Sequence, residues 1–218
     1  MRKFKDIFGS LSELKETMVE GVDFRTIVQD RQSPLTVVSI HGGVIEAGTS
    51  HLAKAIAGSV FNLYDFQGLL AHDPWRLHIT STRFQDDLLD QLLTRSACAV
   101  SVHGLGDADE WTVWVGGLND SLKTWVGLSL ERAGFSVNHK PEYFKGEHQS
   151  NVVNRPESFG VQLEIPNELI TTFFEEGLRF STEQEPVLSK AGSKFVEAVL
   201  EGLFTGSQES LLSTSNSK

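Results

Sequence analysis

Three histidines and one glutamate sit at the ends of apolar runs. His41 closes Leu35–Ile40 (LTVVSI) and precedes Gly42-Gly43, and His103 closes Ala97–Val102 (ACAVSV) and precedes Gly104. His78 closes Trp75-Arg76-Leu77, and Glu164 lies near the end of Gly160–Ile165 (GVQLEI), just before Pro166. His41 and Glu46 are five positions apart, a spacing that neither strand nor helix places on one face. A folded loop can bring them together, and Gly42, Gly43 and Gly48 open backbone conformations closed to other residues. Two imidazole nitrogens, from His41 and His103, with a Glu46 oxygen make the three-ligand pattern of a catalytic zinc hydrolase, whose fourth position is left for water. Histidine–glycine pairs at strand ends also occur as simple turns, so the spacing alone leaves both readings open.

Something must carry these groups to one place. Short β-branched runs alternate with helical periodicity along the chain. Strands are expected at 22–27, 35–40, 60–66, 76–79, 97–102, 112–115, 135–138 and 160–165. Helices are expected after the first glycine loop (Leu52, Ala53, Ile56), after a cap at Asp86, after a cap at Asp120, after a cap at Asn167, and from near Pro186. Such alternation predicts an α/β fold: a mixed, mostly parallel open sheet with helices on both faces. Ligands bind outside the carboxyl ends of the strands in such a sheet, which is where all four groups are expected. Residues 140–158 lack periodicity and read as a long loop. The serine-rich tail, 205–218, reads as disordered, which leaves a single domain over 1–204.

The 218 residues carry 29 acidic and 19 basic side chains, a net charge of −10. That balance excludes a broad basic nucleic-acid surface and docking on an anionic membrane. One cysteine, Cys98, excludes an intrachain disulfide and a cysteine-only zinc site. The basic start, Met1-Arg2-Lys3, is not followed by an apolar signal segment, and no run is long enough for a membrane helix. These features predict a cytoplasmic protein. The oligomeric state is not legible.

Other candidates have plainer readings. His51, His72, His139 and His148 fall in helix-start, turn or polar-loop sequence, and Cys98 reads as a packing residue. The glycine loop lacks the Gly-Lys-Ser/Thr ending of a phosphate-binding loop.

Seven strings in order, HGGVIEAGTSHLAKAIAG, YDFQGLL, LHITSTRF, SVHG, VGGLNDSLKTWV, NVVNR and GVQLE, resemble the poly-γ-glutamate hydrolase family of bacterial and phage proteins. The resemblance covers about residues 20–178. It implies a zinc-carboxypeptidase-like fold and zinc-dependent cleavage of γ-glutamyl amide bonds. It places one Zn²⁺ on His41, Glu46 and His103, and Glu164 as general base. In the 151–155 motif, Arg155 could clamp a glutamyl carboxylate, with Asn154 beside it, and His78 could hydrogen-bond substrate or oxyanion. For Arg155 a structural ion pair is the plainer reading; for His78 it is packing. Departures from the family pattern are Ser39-Ile40 for Ala-Pro, Gln67 for glutamate, His51 for glutamate, and Gln85-Asp86-Asp87 for an acidic residue and proline.

The partner implied is an anionic glutamyl polymer or peptide, and a phage-encoded enzyme would be released by host lysis. The alternatives are an amidase or carboxypeptidase acting on another glutamyl or cell-wall peptide, and a non-catalytic module retaining the fold. A polyanionic substrate sits in tension with the acidic net charge. A local cluster of Arg76, Arg83, Lys145 or Arg155 around a divalent ion resolves it, because net charge governs steering and not what a cleft binds.

Overall fold

The computed structural model describes residues 5–106, 111–178 and 186–215, with side chains to residue 207. Seven strands form one sheet: β1 (Phe24–Gln29), β2 (Leu35–Gly43), β3 (Asn62–Gly68), β4 (Cys98–Leu105), β5 (Thr112–Gly116), β6 (Ser136–Asn138) and β7 (Gly160–Pro166). Their spatial order is β1-β3-β2-β4-β7-β5-β6. The four central strands, β3, β2, β4 and β7, run parallel. β1 and β5 run antiparallel to their inner neighbours, β3 and β7, and β6 runs parallel to β5. The sheet is therefore mixed and mostly parallel, as expected. The central strands all point their carboxyl ends at one edge.

Among the described residues, six helices cover the sheet: α1 (Leu11–Thr17), α2 (Thr49–Ala57), α3 (Asp87–Arg95), α4 (Asp120–Arg132), α5 (Asn167–Thr172) and α6 (Lys190–Ser215). Strand alternation splits the core in two. Val37, Leu63, Val100, Val102, Val161 and Leu163 face α2, α4, α5 and α6, with Leu52, Val126, Ile170 and Phe195 fully buried between. Val38, Ile40, Tyr64, Phe66 and Ala99 face α1 and α3, with Leu11, Leu14, Leu89 and Leu92 on the other side. Each buried leucine of these layers is worth about 2–5 kcal/mol against alanine.

Several boundaries differ from the sequence-based reading, each for a local reason. The expected strand at 76–79 is a 3₁₀ turn, Pro74–Leu77, entered through Asp73 at φ 52°. Pro74 sits at its first position, where a fixed φ and a missing N–H suit a helical turn. Asn119, not Asp120, caps α4, its side chain accepting from Leu122 N. Pro166 occupies the cap position of α5, and Asn167 is the first helical residue. α6 starts at Lys190, and its helical backbone continues to Ser215, through most of the segment read as a disordered tail; residues 216–218 lie outside the described residues.

α1 was not anticipated, although its signal is in the chain. Ser10 accepts from Glu13 N, and the Glu13 carboxylate reaches back to Gly9 N. That is a near-complete capping box, a serine followed three residues later by glutamate. Among the described residues, no helix is long and apolar enough to cross a membrane.

Candidate metal centre

β2 ends in a bulge. The register of its pairing with β3 shifts between Ser39 and Gly42, which re-aims the side chains of the strand's last turn. The chain then folds back tightly: Glu46 N donates to His41 O at 2.8 Å, and Thr49 Oγ1 donates to Glu46 O at 2.7 Å. This turn brings together the two residues that regular structure would keep apart. Glu46 Oε1 lies 2.9 Å from His41 Nδ1.

His103 enters from the neighbouring strand. Its Nδ1 is 3.2 Å from His41 Nδ1 and 3.5 Å from Glu46 Oε2. All three residues are buried. The second Glu46 oxygen also accepts from Gly104 N at 2.8 Å. Burial pushes the Glu46 carboxyl upward, but His41 and His103 outweigh it and hold it well below the usual carboxylate range.

The tautomer of His41 follows from its outer partner. His41 Nε2 faces the Ile79 carbonyl at 2.9 Å. A carbonyl only accepts, so Nε2 carries the proton and Nδ1 presents a lone pair. His41 Nδ1 and the Glu46 carboxylate meet His103 Nδ1, whose ring has a buried Nε2 without a hydrogen-bond partner among the described residues, an arrangement that calls for a cation or a shared proton. Tetrahedral zinc with bonds of about 2.0–2.1 Å sets its donors roughly 3.3 Å apart. His41 Nδ1 stands 2.9 Å from Glu46 Oε1 and 3.2 Å from His103 Nδ1, and the other carboxylate oxygen, Oε2, stands 3.5 Å from His103 Nδ1, all close to that value. The donor set fits the ion.

His78 joins this cluster from the loop after the 3₁₀ turn, not from a strand end. Its ring stacks on His41 at 4.0 Å and on Trp75 at 5.0 Å. One ligand atom each from His41, Glu46 and His78 lie within 4.8 Å of one another. Desolvation and the facing His41 lower the His78 pKa. Its Nδ1 is taken by Asp6 Oδ1 at 2.7 Å. Asp6 is a residue the sequence reading passed over, because nothing local marks an N-terminal aspartate as a partner for a loop histidine 72 positions away.

Glu164 stands directly opposite His103 across the β4–β7 ladder and opposite Trp114 across β7–β5. Gln162 Nε2 donates to its Oε1 at 2.8 Å. Burial and the charge of Glu46 push the Glu164 carboxyl well above its ordinary range. Gln162 is itself held by Asn151, whose Nδ2 donates at 2.8 Å.

Arg155 and Asn154 are not drawn into this cluster. Arg155 binds Asp90 Oδ1 at 2.8 Å, Phe84 O at 2.6 Å and Ser150 O at 3.3 Å, beside a 290 Å³ cavity lined also by Thr82 and Gln85. The buried Asn154 side chain donates to Gly146 O and His148 O and accepts from Leu118 N, so it pins the 146–148 loop. Cys98 is buried, and desolvation raises its thiol pKa to about 11, as suits packing and not reaction.

Comparison with known proteins bears on the family and the fold. The family model for poly-γ-glutamate hydrolase matches residues 8–198. The SPbeta prophage-derived UPF0714 protein YoqZ of Bacillus subtilis (strain 168) is 31% identical over 166 residues, 75% of this chain and 60% of that protein. UPF0714 protein YmaC of the same organism is 30% identical over 172 residues, 78% of this chain and 71% of that protein. The chain thus spans less than two thirds of the length of YoqZ. The structure of a bacteriophage poly-γ-glutamate hydrolase superposes with a TM-score of 0.86 and 31% identity, covering 92% of this chain and 98% of that one. The zinc-free form of YndL shares the fold, with a TM-score of 0.83 and 24% identity over 91% of this chain and 98% of that one. With a family model matched over most of its length, the chain belongs to the poly-γ-glutamate hydrolase family.

Proposed function

We propose that the chain hydrolyses γ-glutamyl amide bonds of poly-γ-glutamate, using one zinc ion held by His41, Glu46 and His103. The observation that carries this reading is the convergence of one ring nitrogen each from His41 and His103 with the Glu46 carboxylate, at 2.9–3.5 Å, directly across the ladder from a buried carboxyl group. Membership of the family, and likeness to a bacteriophage poly-γ-glutamate hydrolase, support the choice of substrate.

When bound, the ion supplies Lewis-acid polarisation of the scissile carbonyl and of the attacking water. The protein supplies the rest. Ile79 O and Gly104 N hold His41 and Glu46 in the orientations that aim their acceptor atoms inward. Glu164 takes the proton from water at its carboxylate and passes it to the departing amine nitrogen. A general base must be ionised, and burial first, then the charge of Glu46, disfavours this at Glu164; an ion held by His41, Glu46 and His103 would offset the Glu46 charge. Gln162 keeps the Glu164 carboxylate in one rotamer.

His78 serves the substrate side: its Nδ1 is taken by Asp6, so Nε2 faces the site as an acceptor for a substrate N–H, and the donor role the sequence suggested for it is not available to the neutral ring. Arg155, at the wall of the 290 Å³ cavity, is assigned to a substrate carboxylate in place of Asp90. Asn154 contributes by holding the loop over 146–148.

The test is shortening of poly-γ-glutamate by the purified chain, followed by size, with and without a chelator. Shortening abolished by chelation and restored by Zn²⁺ is expected. Shortening that survives chelation removes the metal from the mechanism. An intact polymer alongside cleaved small γ-glutamyl peptides assigns the site to a peptidase instead.

A further inference from the structure

The residue that completes the site comes from the amino-terminal segment, ahead of the 8–198 span that the family model matches. The side chain of Asp6 is only 1% exposed. One oxygen accepts from His78 Nδ1 at 2.7 Å, and the other accepts from Thr80 N at 2.8 Å and also contacts Arg83. The segment is anchored on both sides of this contact. Phe8, Leu11 and Leu14 are buried in the core layer that includes Leu77, Ile79 and Phe84. Lys15 Nζ meets Asp86, the cap of α3, at 2.5 Å. The stretch 78–86 is therefore clasped by residues 6–15 at both ends.

This stretch does two things for the metal centre. Ile79 O orients His41 through Nε2, and His78 lies face to face with His41. A carboxylate can only accept from His78 Nδ1, so that nitrogen carries a proton and Nε2 is left for the cluster.

We infer that Asp6 is a positioning residue of the active site: it fixes His78 as the Nδ1-protonated tautomer with Nε2 turned to the metal cluster, and it holds the Thr80 turn whose Ile79 carbonyl aims His41. The consequence for turnover rests on the hydrolase reading above. The tautomer does not.

Two measurements on the full chain test it. Nitrogen-15 spectra of the imidazoles report the tautomer directly. The wild type is expected to show His78 protonated at Nδ1, and Asp6→Ala to show it mixed or protonated at Nε2. Asp6→Leu, which keeps the approximate size of the side chain but offers no acceptor, guards against a variant that does not fold; it is expected to show the same loss with an unchanged circular-dichroism spectrum. A His78 tautomer that is the same in wild type and both variants overturns the inference.

The second measurement is a double-mutant cycle on poly-γ-glutamate turnover. Asp6→Ala is expected to lower kcat about 10–100-fold, the usual effect of losing such an outer partner, with little change in KM. On a His78→Ala background its effect is expected to shrink to a fewfold, because the two residues act as a unit. Full additivity overturns the inference. If the wild type leaves the polymer intact, the hydrolase reading fails, and the spectra still decide the role of Asp6.

Discussion

His103 and Glu164 are direct partners across the parallel β4–β7 ladder. A proposed metal ligand and the proposed base are thus held on two hydrogen-bonded strands at the centre of the sheet, and their separation is set by strand spacing and not by a loop. Side chains on such a frame keep their geometry because the backbone beneath them cannot shift without breaking the ladder.

Glu164→Gln should therefore leave the metal site intact while removing the proton acceptor. Turnover should fall about 10²–10⁴-fold, the usual contribution of a general base, with zinc content unchanged by elemental analysis. Loss of zinc in this variant would make Glu164 a ligand and not a base.

His41→Ala and His103→Ala should each lose zinc from the purified protein and lose activity with it. Three proposed ligands with one removed leave an incomplete donor set. Elemental analysis alongside polymer shortening checks this, and full metal and activity in both variants would refute the ligand assignment.

Gly42→Ala should disturb the same site without touching a ligand. A Cβ there would meet Ser50 Oγ, Asp65 Oδ1 and the Phe66 carbonyl oxygen. Ser50 Oγ accepts from Gly43 N and donates to Asp65, both at 2.8 Å, so it buttresses the metal-binding turn. Overpacking of this kind costs about 1–3 kcal/mol. Urea denaturation should report that loss, and weaker zinc retention should accompany it.

Acid stability should depend on Asp6. Burial pushes its pKa up, but hydrogen bonds from His78 and Thr80, with the charge of His78, outweigh this and take it from 3.8 to about 2. A carboxyl with a folded-state pKa below its unfolded value adds stability above the unfolded value, and that stability is lost as pH falls through the folded one. The difference corresponds to about 2 kcal/mol, present above pH 3.8 and gone near pH 2. Denaturation of wild type and Asp6→Asn should accordingly converge as pH falls across that window.

Turnover of a polyanionic substrate should respond to salt. The chain carries a net −10, so any attraction must come from local cations such as Lys145, Arg76 and Arg155. At low substrate the rate should drop as ionic strength rises, because at 0.1 M salt attraction between exposed charges more than about 10 Å apart is largely screened. A flat response would favour a small or neutral substrate.

The β-branched runs, alternating with helical periodicity, determined the sheet, its two covered faces and the edge at which polar groups gather. Those features follow from local patterns of period two and 3.6, which need no knowledge of distant contacts. The proposed ligands were also within reach as candidates, because His41, Glu46 and His103 lie at run ends or in a glycine-rich turn. The tertiary structure decided what depends on residues far apart in the chain. The bulge between Ser39 and Gly42 aims His41, and the 3₁₀ turn at Pro74 delivers His78 from a loop and not a strand. Arg155 is drawn to Asp90 and the Phe84 carbonyl, and Asp6 reaches His78. These are hydrogen bonds and ion pairs between separate segments, worth little until packing brings their backbones together, and so they leave no periodic trace in the sequence.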